Sequence, residues 1–210
     1  MEVVKGVHLI ESAKGSYVYL ILGQEPVLID TGMPGRAQAI VAELRQLGLN
    51  MTDIAHILLT HHDVDHIGNA KYLQSLSGAK LWASAEDLPY IEGTAKRPGF
   101  KRLLNSVVKP QIPNIDATYR PGETIADLEV IPTPGHTPGH VSVLYGDTLF
   151  AGDLVTSSKN VLKAAPAFLT WDKEALRSSL AEVGQRSFDW VCPAHGFPIQ
   201  RGNLWEALLP

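Results

Sequence analysis

A short apolar segment that runs directly into a group of histidine and aspartate residues constrains this chain more than any other feature. Ile57, Leu58 and Leu59 end an apolar run that predicts a buried strand. Residues 61–66 follow with the sequence His-His-Asp-Val-Asp-His. Buried carboxylates and imidazoles cost several kcal/mol when nothing compensates their lost hydration, and a bound cation is the most common compensation. The group therefore predicts a metal site at the end of a strand.

The composition predicts one domain, residues 1–210, that binds neither nucleic acid nor a membrane. The chain has 210 residues, of which 45% are hydrophobic and 19% charged, which is enough for one sizeable core. Its formal net charge is −4, whereas binding to nucleic acid requires a basic surface. The N-terminus shows no secretory signal, and no segment approaches the roughly 18 apolar residues of a membrane span. Together with the single cysteine, Cys192, these features favour a cytoplasmic protein.

The spacing of apolar residues predicts an α/β protein whose two halves are built in the same style. Strand-like and helix-like segments follow one another in both halves, which favours a pair of facing sheets with helices on the outside. The predicted strands are residues 3–10, 16–22, 26–29, 55–59, 80–83, 128–131, 141–144, 148–150 and 190–193, and the predicted helices are residues 35–47, 70–76 and 172–183 with a short helix from Ser84.

Residues 95–113 differ from their surroundings because they include five basic side chains and no acidic one. Apolar residues between Phe100 and Val108 have the spacing of an amphipathic helix. The simpler interpretation is a helix with its apolar face on the core and a solvated basic face. The alternative is a lid or pocket wall that favours anionic substrates.

Histidine and aspartate residues recur at four places where a predicted strand gives way to a loop. Side chains alternate along an extended segment, so His61, Asp63 and Asp65 are expected to face one direction. His62 is expected to point away, and His66 to join the group from the turn into the next helix. The four places are residues 61–66, 134–140, 150–153 and 193–196.

This ordered pattern resembles that of the metallo-β-lactamase-fold hydrolase superfamily. Members share a His-x-His-x-Asp-His run, a Gly-His, a Gly-Asp and a late histidine in the same order, and residues 28–32 match the early Asp-Thr-Gly turn of the family. The resemblance covers nearly the whole chain. It implies a four-layer αββα fold, with two facing mixed sheets and outer helices.

The resemblance also implies two divalent metal ions and a water or hydroxide between them that acts as the nucleophile. Asp65 would orient this hydroxide and could pass its proton to the leaving group. Asp30 would hold a ligand loop by hydrogen bonds. The implied ligands are His61, Asp63 and His136 for one ion, Asp65, His66 and His195 for the other, and Asp153 as the bridge.

One position departs from the family pattern, because Asp63 replaces the usual second histidine. Zinc is the expected metal, but a carboxylate here favours iron or manganese more than three histidines would. The flavodiiron oxygen reductases resemble the chain at this point, since they carry a glutamate there. An alternative is that His62 rotates inward and replaces the missing ligand.

The predicted function is hydrolysis of a small ester, lactone or thioester, and the predicted partner is a small-molecule substrate. A small phosphoester stays open because of the basic residues in 95–113. The alternative from another class is a non-haem iron redox enzyme, similar to a diiron oxygen reductase or a sulfur dioxygenase, which Asp63 favours.

Three further residues have simpler interpretations. His140 is expected to lie beside the metal ligands rather than among them. Cys192 is expected to be a small buried hydrophobic residue. Trp205 is expected to pack on a sheet or at a contact in a homodimer.

Overall fold

The computed structural model describes residues 1–96, 111–120 and 122–209. The amphipathic helix predicted between Phe100 and Val108 lies outside the described residues. The chain divides into two compact units, Met1–Thr118 and Tyr119–Pro210.

The first unit contains a seven-stranded mixed sheet whose strands follow chain order. Strands β1 to β4 pair antiparallel, and β4 to β7 pair parallel. The change in direction falls where helices begin to connect the strands, because a parallel pair needs a long crossover. The strands are β1 Glu2–Val4, β2 Val7–Ile10, β3 Val18–Ile21, β4 Val27–Ile29, β5 His56–Leu58, β6 Lys80–Ala83 and β7 Ala117–Thr118.

Four α-helices lie in the first unit, in the residues that the structure describes. Helix α1 buries Ile40, Val41 and Leu44, which recur at the spacing of one helix face. Gly78 ends α3 in the left-handed conformation, with φ at +70°. These helices and the sheet share one apolar core. The helices are α1 Ala37–Gln46, α2 Val64–Ile67, α3 Ala70–Ser77 and α4 Leu88–Ile91.

The second unit contains a six-stranded mixed sheet in the order β15-β14-β11-β10-β9-β8 and a separate hairpin of β12 and β13. Only β11 and β14 pair parallel, and the long connection between them includes helix α5, Lys173–Gly184. The strands are β8 Thr124–Ile125, β9 Leu128–Pro132, β10 Val141–Tyr145, β11 Thr148–Gly152, β12 Val155–Ser158, β13 Val161–Ala164, β14 Trp190–Pro193 and β15 Ile199–Gln200.

Trp205 anchors the C-terminal segment on the core of the second unit. Its side chain is fully buried, packs edge-on against Phe188, and donates a hydrogen bond from Nε1 to the carbonyl of Leu180 at 3.1 Å. Of the two positions expected for Trp205, the structure shows packing within the unit.

Asp172 begins α5 as its N-cap and accepts hydrogen bonds from the backbone of Glu174 and Ala175.

The predicted α/β class, with mixed sheets and helices, is confirmed. One prediction of local structure was wrong, and one element was missed. The segment 3–10 is two strands separated by a turn at Gly6, where φ is +79°. The β12–β13 hairpin was not predicted at all. None of the helices in the described residues is both long enough and apolar enough to span a membrane.

The cysteine provides a test of the packing in the second unit. Cys192 is buried on β14 beside Phe150, and burial raises the pKa of its thiol far above the usual range. Since the thiolate is the reactive form, we expect a thiol reagent such as Ellman's reagent to leave the native protein unmodified and to react fully once denaturant is added. Rapid reaction of the native protein would contradict this packing.

Candidate metal centre

The candidate ligands of the first unit lie where β5 ends and α2 begins. Asp63 is the N-cap residue of α2, so Asp65 and His66 are carried by the helix rather than by an extended segment. The predicted alternation therefore stops at residue 63. His61 Nε2 lies 3.4 Å from Asp63 Oδ2, and His66 Nε2 lies 3.8 Å from Asp65 Oδ2.

Asp30 fixes the orientation of both buried imidazoles, His61 and His66. Its carboxylate accepts hydrogen bonds from the Thr60 backbone at 2.8 Å, the Thr60 hydroxyl at 2.7 Å and His66 Nδ1 at 2.8 Å. Because the Thr60 hydroxyl donates its only proton to Asp30, it accepts from His61 Nδ1, at 3.1 Å. Each ring therefore has Nδ1 held by the protein. Nε2 of His61 faces the carboxylate of Asp63. Nε2 of His66 lies 3.3 Å from the Ser16 hydroxyl and 3.8 Å from Asp65. Metal-bound histidines show the same division of roles.

Close backbone packing holds α2 against the loop that follows β4. The Thr31 hydroxyl donates to the carbonyl of His66 at 2.6 Å. A Cβ at Gly68 would overlap the Gly32 carbonyl and the Pro34 nitrogen, so only glycine allows this approach. The geometry of the candidate ligands thus depends on residues that carry no metal-binding group.

His62 has its own set of contacts, which includes one candidate ligand, Asp63. Its ring is fully buried and stacks on Tyr90, with the ring centroids 4.8 Å apart. Its Nδ1 lies 2.9 Å from Asp87 Oδ2, and its Nε2 lies 3.6 Å from Asp63 Oδ1. The His62 imidazole is therefore placed between two carboxylates. Sequence reasoning missed Asp87, which is also buried.

The candidate ligands of the second unit follow three different strands of one sheet. His136 lies in the loop between β9 and β10, Asp153 follows β11, and His195 follows β14. His136 Nε2 lies 3.2 Å from Asp153 Oδ2, and His195 Nε2 lies 3.3 Å from Asp153 Oδ1. The carboxylate thus directs one oxygen toward each histidine, as a bridging ligand would.

His140 supports Asp153 from behind. The backbone N–H of Asp153 donates to His140 Nε2 at 3.0 Å. The proton of this imidazole is therefore on Nδ1, which donates to the Thr133 hydroxyl at 2.8 Å. Both ring nitrogens are engaged in these bonds, which agrees with a place for His140 beside the ligands.

A glycine brings the His136 loop against α5. Gly135 has φ at +135°, and a Cβ there would overlap the backbone nitrogen of Leu176. Its carbonyl accepts from the backbone N–H groups of Trp171 and Asp172, at 2.9 and 3.0 Å. The residue before His136 is thus fixed by the N-terminal end of a helix.

The donor set of each unit fits a cation. The imidazole–carboxylate separations of 3.2 to 3.8 Å exceed the roughly 2.7–2.9 Å of a charge-assisted hydrogen bond. In the first unit, the nearest ligand nitrogens of His61 and His66 lie within 4.8 Å of each other. Nitrogen and carboxylate oxygen at such separations can bind one ion in common, and this donor type suits zinc, manganese and iron.

Comparison with known proteins identifies the family. The family model described as the metallo-beta-lactamase superfamily matches residues 13–195. The "Probable metallo-hydrolase YflN" of Bacillus subtilis is 30% identical over 233 residues, covering 97% of this chain and 88% of the relative. A "Hydroxyacylglutathione hydrolase" of Shewanella baltica is 32% identical over 148 residues, which are 70% of this chain and 50% of the relative.

Among solved structures, the crystal structure of "TTHA1623 in a di-iron-bound form" is similar with a TM-score of 0.75 and 26% identity, over 93% of this chain and 94% of the other. The chain belongs to the metallo-beta-lactamase superfamily and has its fold. It is a metal-dependent hydrolase of that superfamily.

The role of Asp30 is open to a direct test. We expect Asp30→Asn to lower the free energy of unfolding by about 1–3 kcal/mol, because an amide nitrogen would face the hydroxyl of Thr60 and the imidazole of His66 in a buried place. Chemical denaturation of the metal-free protein measures this change. Asp127→Asn is the matched control, since Asp127 also has a positive φ, 67° against 61°, but is exposed. Equal stability of the two variants would contradict the role given to Asp30.

Proposed function

We propose that this chain uses a dinuclear metal centre to hydrolyse a small ester, lactone or thioester. The observation that carries the proposal is the geometry of Asp153, whose two oxygens face His136 and His195 at 3.2 and 3.3 Å. A carboxylate that serves two histidines separately is suited to bridging two ions. Membership of the superfamily supports the same proposal.

The proposed ligand sets follow the family pattern. Two observations support these sets. The motifs occur in the order of the family pattern, and imidazoles face carboxylates within each unit. The sets are His61, Asp63 and His136 for the first ion, Asp65, His66 and His195 for the second ion, and Asp153 as their bridge.

When bound, two such ions would polarise the scissile carbonyl and supply an activated water as the nucleophile. The chain's own residues would orient these partners and move a proton. Asp65 is proposed for the proton transfer, because it has the most exposed carboxylate among the candidate ligands, with 22% of its side chain accessible. Asp63 and Asp153 are less exposed, at 15% and 9%, and are proposed only to hold metal.

A thioester is the preferred substrate class within this proposal. The Shewanella baltica relative is named for hydrolysis of hydroxyacylglutathione, an S-acyl compound. This chain spans half the length of that relative. We therefore propose that this chain also cleaves a thioester bond, and we do not assign the rest of the substrate.

Zinc is the proposed metal, with iron or manganese as the alternatives. The carboxylate of Asp63 makes the first set a harder Lewis base than three histidines would be, which favours harder metals. The similar structure in a di-iron-bound form favours iron as an alternative metal. An iron centre would permit a second candidate function, a non-haem iron redox enzyme. The single buried cysteine fits a reducing compartment, which supports a cytoplasmic location as part of the proposal.

Hydrolysis assays with the metal-loaded protein test this function. We expect turnover of small S-acyl thioesters or lactones, and we expect Asp65→Asn to lower kcat by about 10²- to 10⁴-fold because the amide cannot accept the proton. Metal content measured on the same samples separates lost proton transfer from lost metal. Asp127→Asn serves as the control and should keep full activity.

Two outcomes would contradict the proposal. One is full activity of Asp65→Asn at unchanged metal content. The other is an iron-loaded protein that consumes oxygen and hydrolyses none of these substrates, which would favour the redox enzyme.

A further inference from the structure

His62 connects a carboxylate outside the proposed ligand sets to one within them. Its Nδ1 lies 2.9 Å from Asp87 Oδ2, and its Nε2 lies 3.6 Å from Asp63 Oδ1. The other oxygen of Asp63, Oδ2, faces His61 Nε2 at 3.4 Å. One oxygen of Asp63 is therefore turned toward His62 and the other toward a proposed metal ligand.

The far end of this chain of contacts is firmly held. The Asp87 carboxylate also accepts the backbone N–H of His62 at 3.0 Å, so both ends of the His62 residue contact it. Asp87 caps α4, whose residues Tyr90 and Ile91 donate backbone hydrogen bonds to its carbonyl. Tyr90 in turn stacks on the His62 ring. No more than 1% of the side chain of His62 or Asp87 is exposed.

We propose that the Asp87–His62 pair is a positioning device for Asp63. The pair would hold Asp63 Oδ1 and so direct Oδ2 toward the first metal ion, an inference that rests on the proposed function. Asp63 is the position where the chain departs from the family pattern. Its carboxylate is shorter than the imidazole of a histidine, so its orientation depends more on a neighbouring group. The neighbouring histidine supplies the contact that aims it.

The contacts confine this effect to one of the two ions. The contacts of His62 described above include Asp63, which belongs to the first proposed set, and no ligand of the second set. Loss of a partner that orients a ligand typically weakens metal affinity by about 10- to 100-fold. Disruption of the Asp87–His62 pair should therefore weaken the first ion and leave the second unchanged.

The test uses two amides that replace the two nitrogens of His62 one at a time. In His62→Gln the amide nitrogen reaches the place of Nε2 and can still contact Asp63, whereas in His62→Asn it replaces only Nδ1. Stepwise Zn²⁺ affinities of the full chain, measured by competition with a chromophoric chelator, are the readout. We expect His62→Asn to weaken one of two ions by about 10- to 100-fold while two ions still bind at saturation, and His62→Gln to keep most of the affinity.

Asp87→Asn provides a second variant, which keeps a side-chain oxygen that can accept from the backbone N–H of His62 but removes the charge. It should weaken the same ion as His62→Asn. Wild-type affinities in all three variants would overturn the inference. So would equal weakening of both ions together with a lower melting temperature of the metal-free protein, which indicates a packing role. Loss of one ion at saturation in both His62 variants would overturn it too, because His62 would then be a ligand. A wild-type chain that binds no metal would instead refute the proposed function.

Discussion

In the first unit, two buried imidazole rings each have one nitrogen held by the protein and the other 3.4 to 3.8 Å from a carboxylate, and the remaining features of the candidate site depend on this arrangement. Asp30 and Thr60 hold the rings of His66 and His61 in the first unit. In the second unit the backbone of Asp153 is held by His140. The imidazole nitrogens and carboxylate oxygens lie 3.2 to 3.8 Å apart. These distances are too long for a strong hydrogen bond and short enough for both atoms to bind one ion.

The scaffold places these groups at strand ends and fixes them with close backbone contacts. Gly68 lets α2 approach the loop after β4, and Gly135 lets the His136 loop meet the start of α5. A side chain at either place would push a candidate ligand away from its partner. Rigid elements thus position loop residues, which is how many folds support chemistry that differs from member to member.

Much of this could be predicted from the sequence, for physical reasons that differ between elements. The strands at 80–83 and 190–193 were predicted to the residue, because apolar runs bounded by turn residues are local signals. Each histidine and aspartate motif is also a local signal, and the order of these motifs led to the family that the comparisons confirm. The ligand assignment itself stays a prediction.

The features that were missed depend on contacts or turns with no local signal. The β12–β13 hairpin turns at Lys159 and Asn160, which adopt positive φ without the Asn-Gly pair typical of such turns. The expected alternation failed at Asp65, because the extended segment ends at Asp63 and α2 carries Asp65. Asp87 is 25 residues from His62, and no periodic pattern links the two.

Elemental analysis of the purified chain, expressed without added metal, is the measurement that tests the central claim most directly. The donor geometry predicts about two divalent ions per chain, since seven ligands with a bridging carboxylate are more than one ion requires. Two zinc ions would agree with the proposed hydrolase, and two iron ions would keep the dinuclear centre and favour the redox alternative. A chain that stays without metal, even after incubation with Zn²⁺, Mn²⁺ or Fe²⁺, would contradict the account.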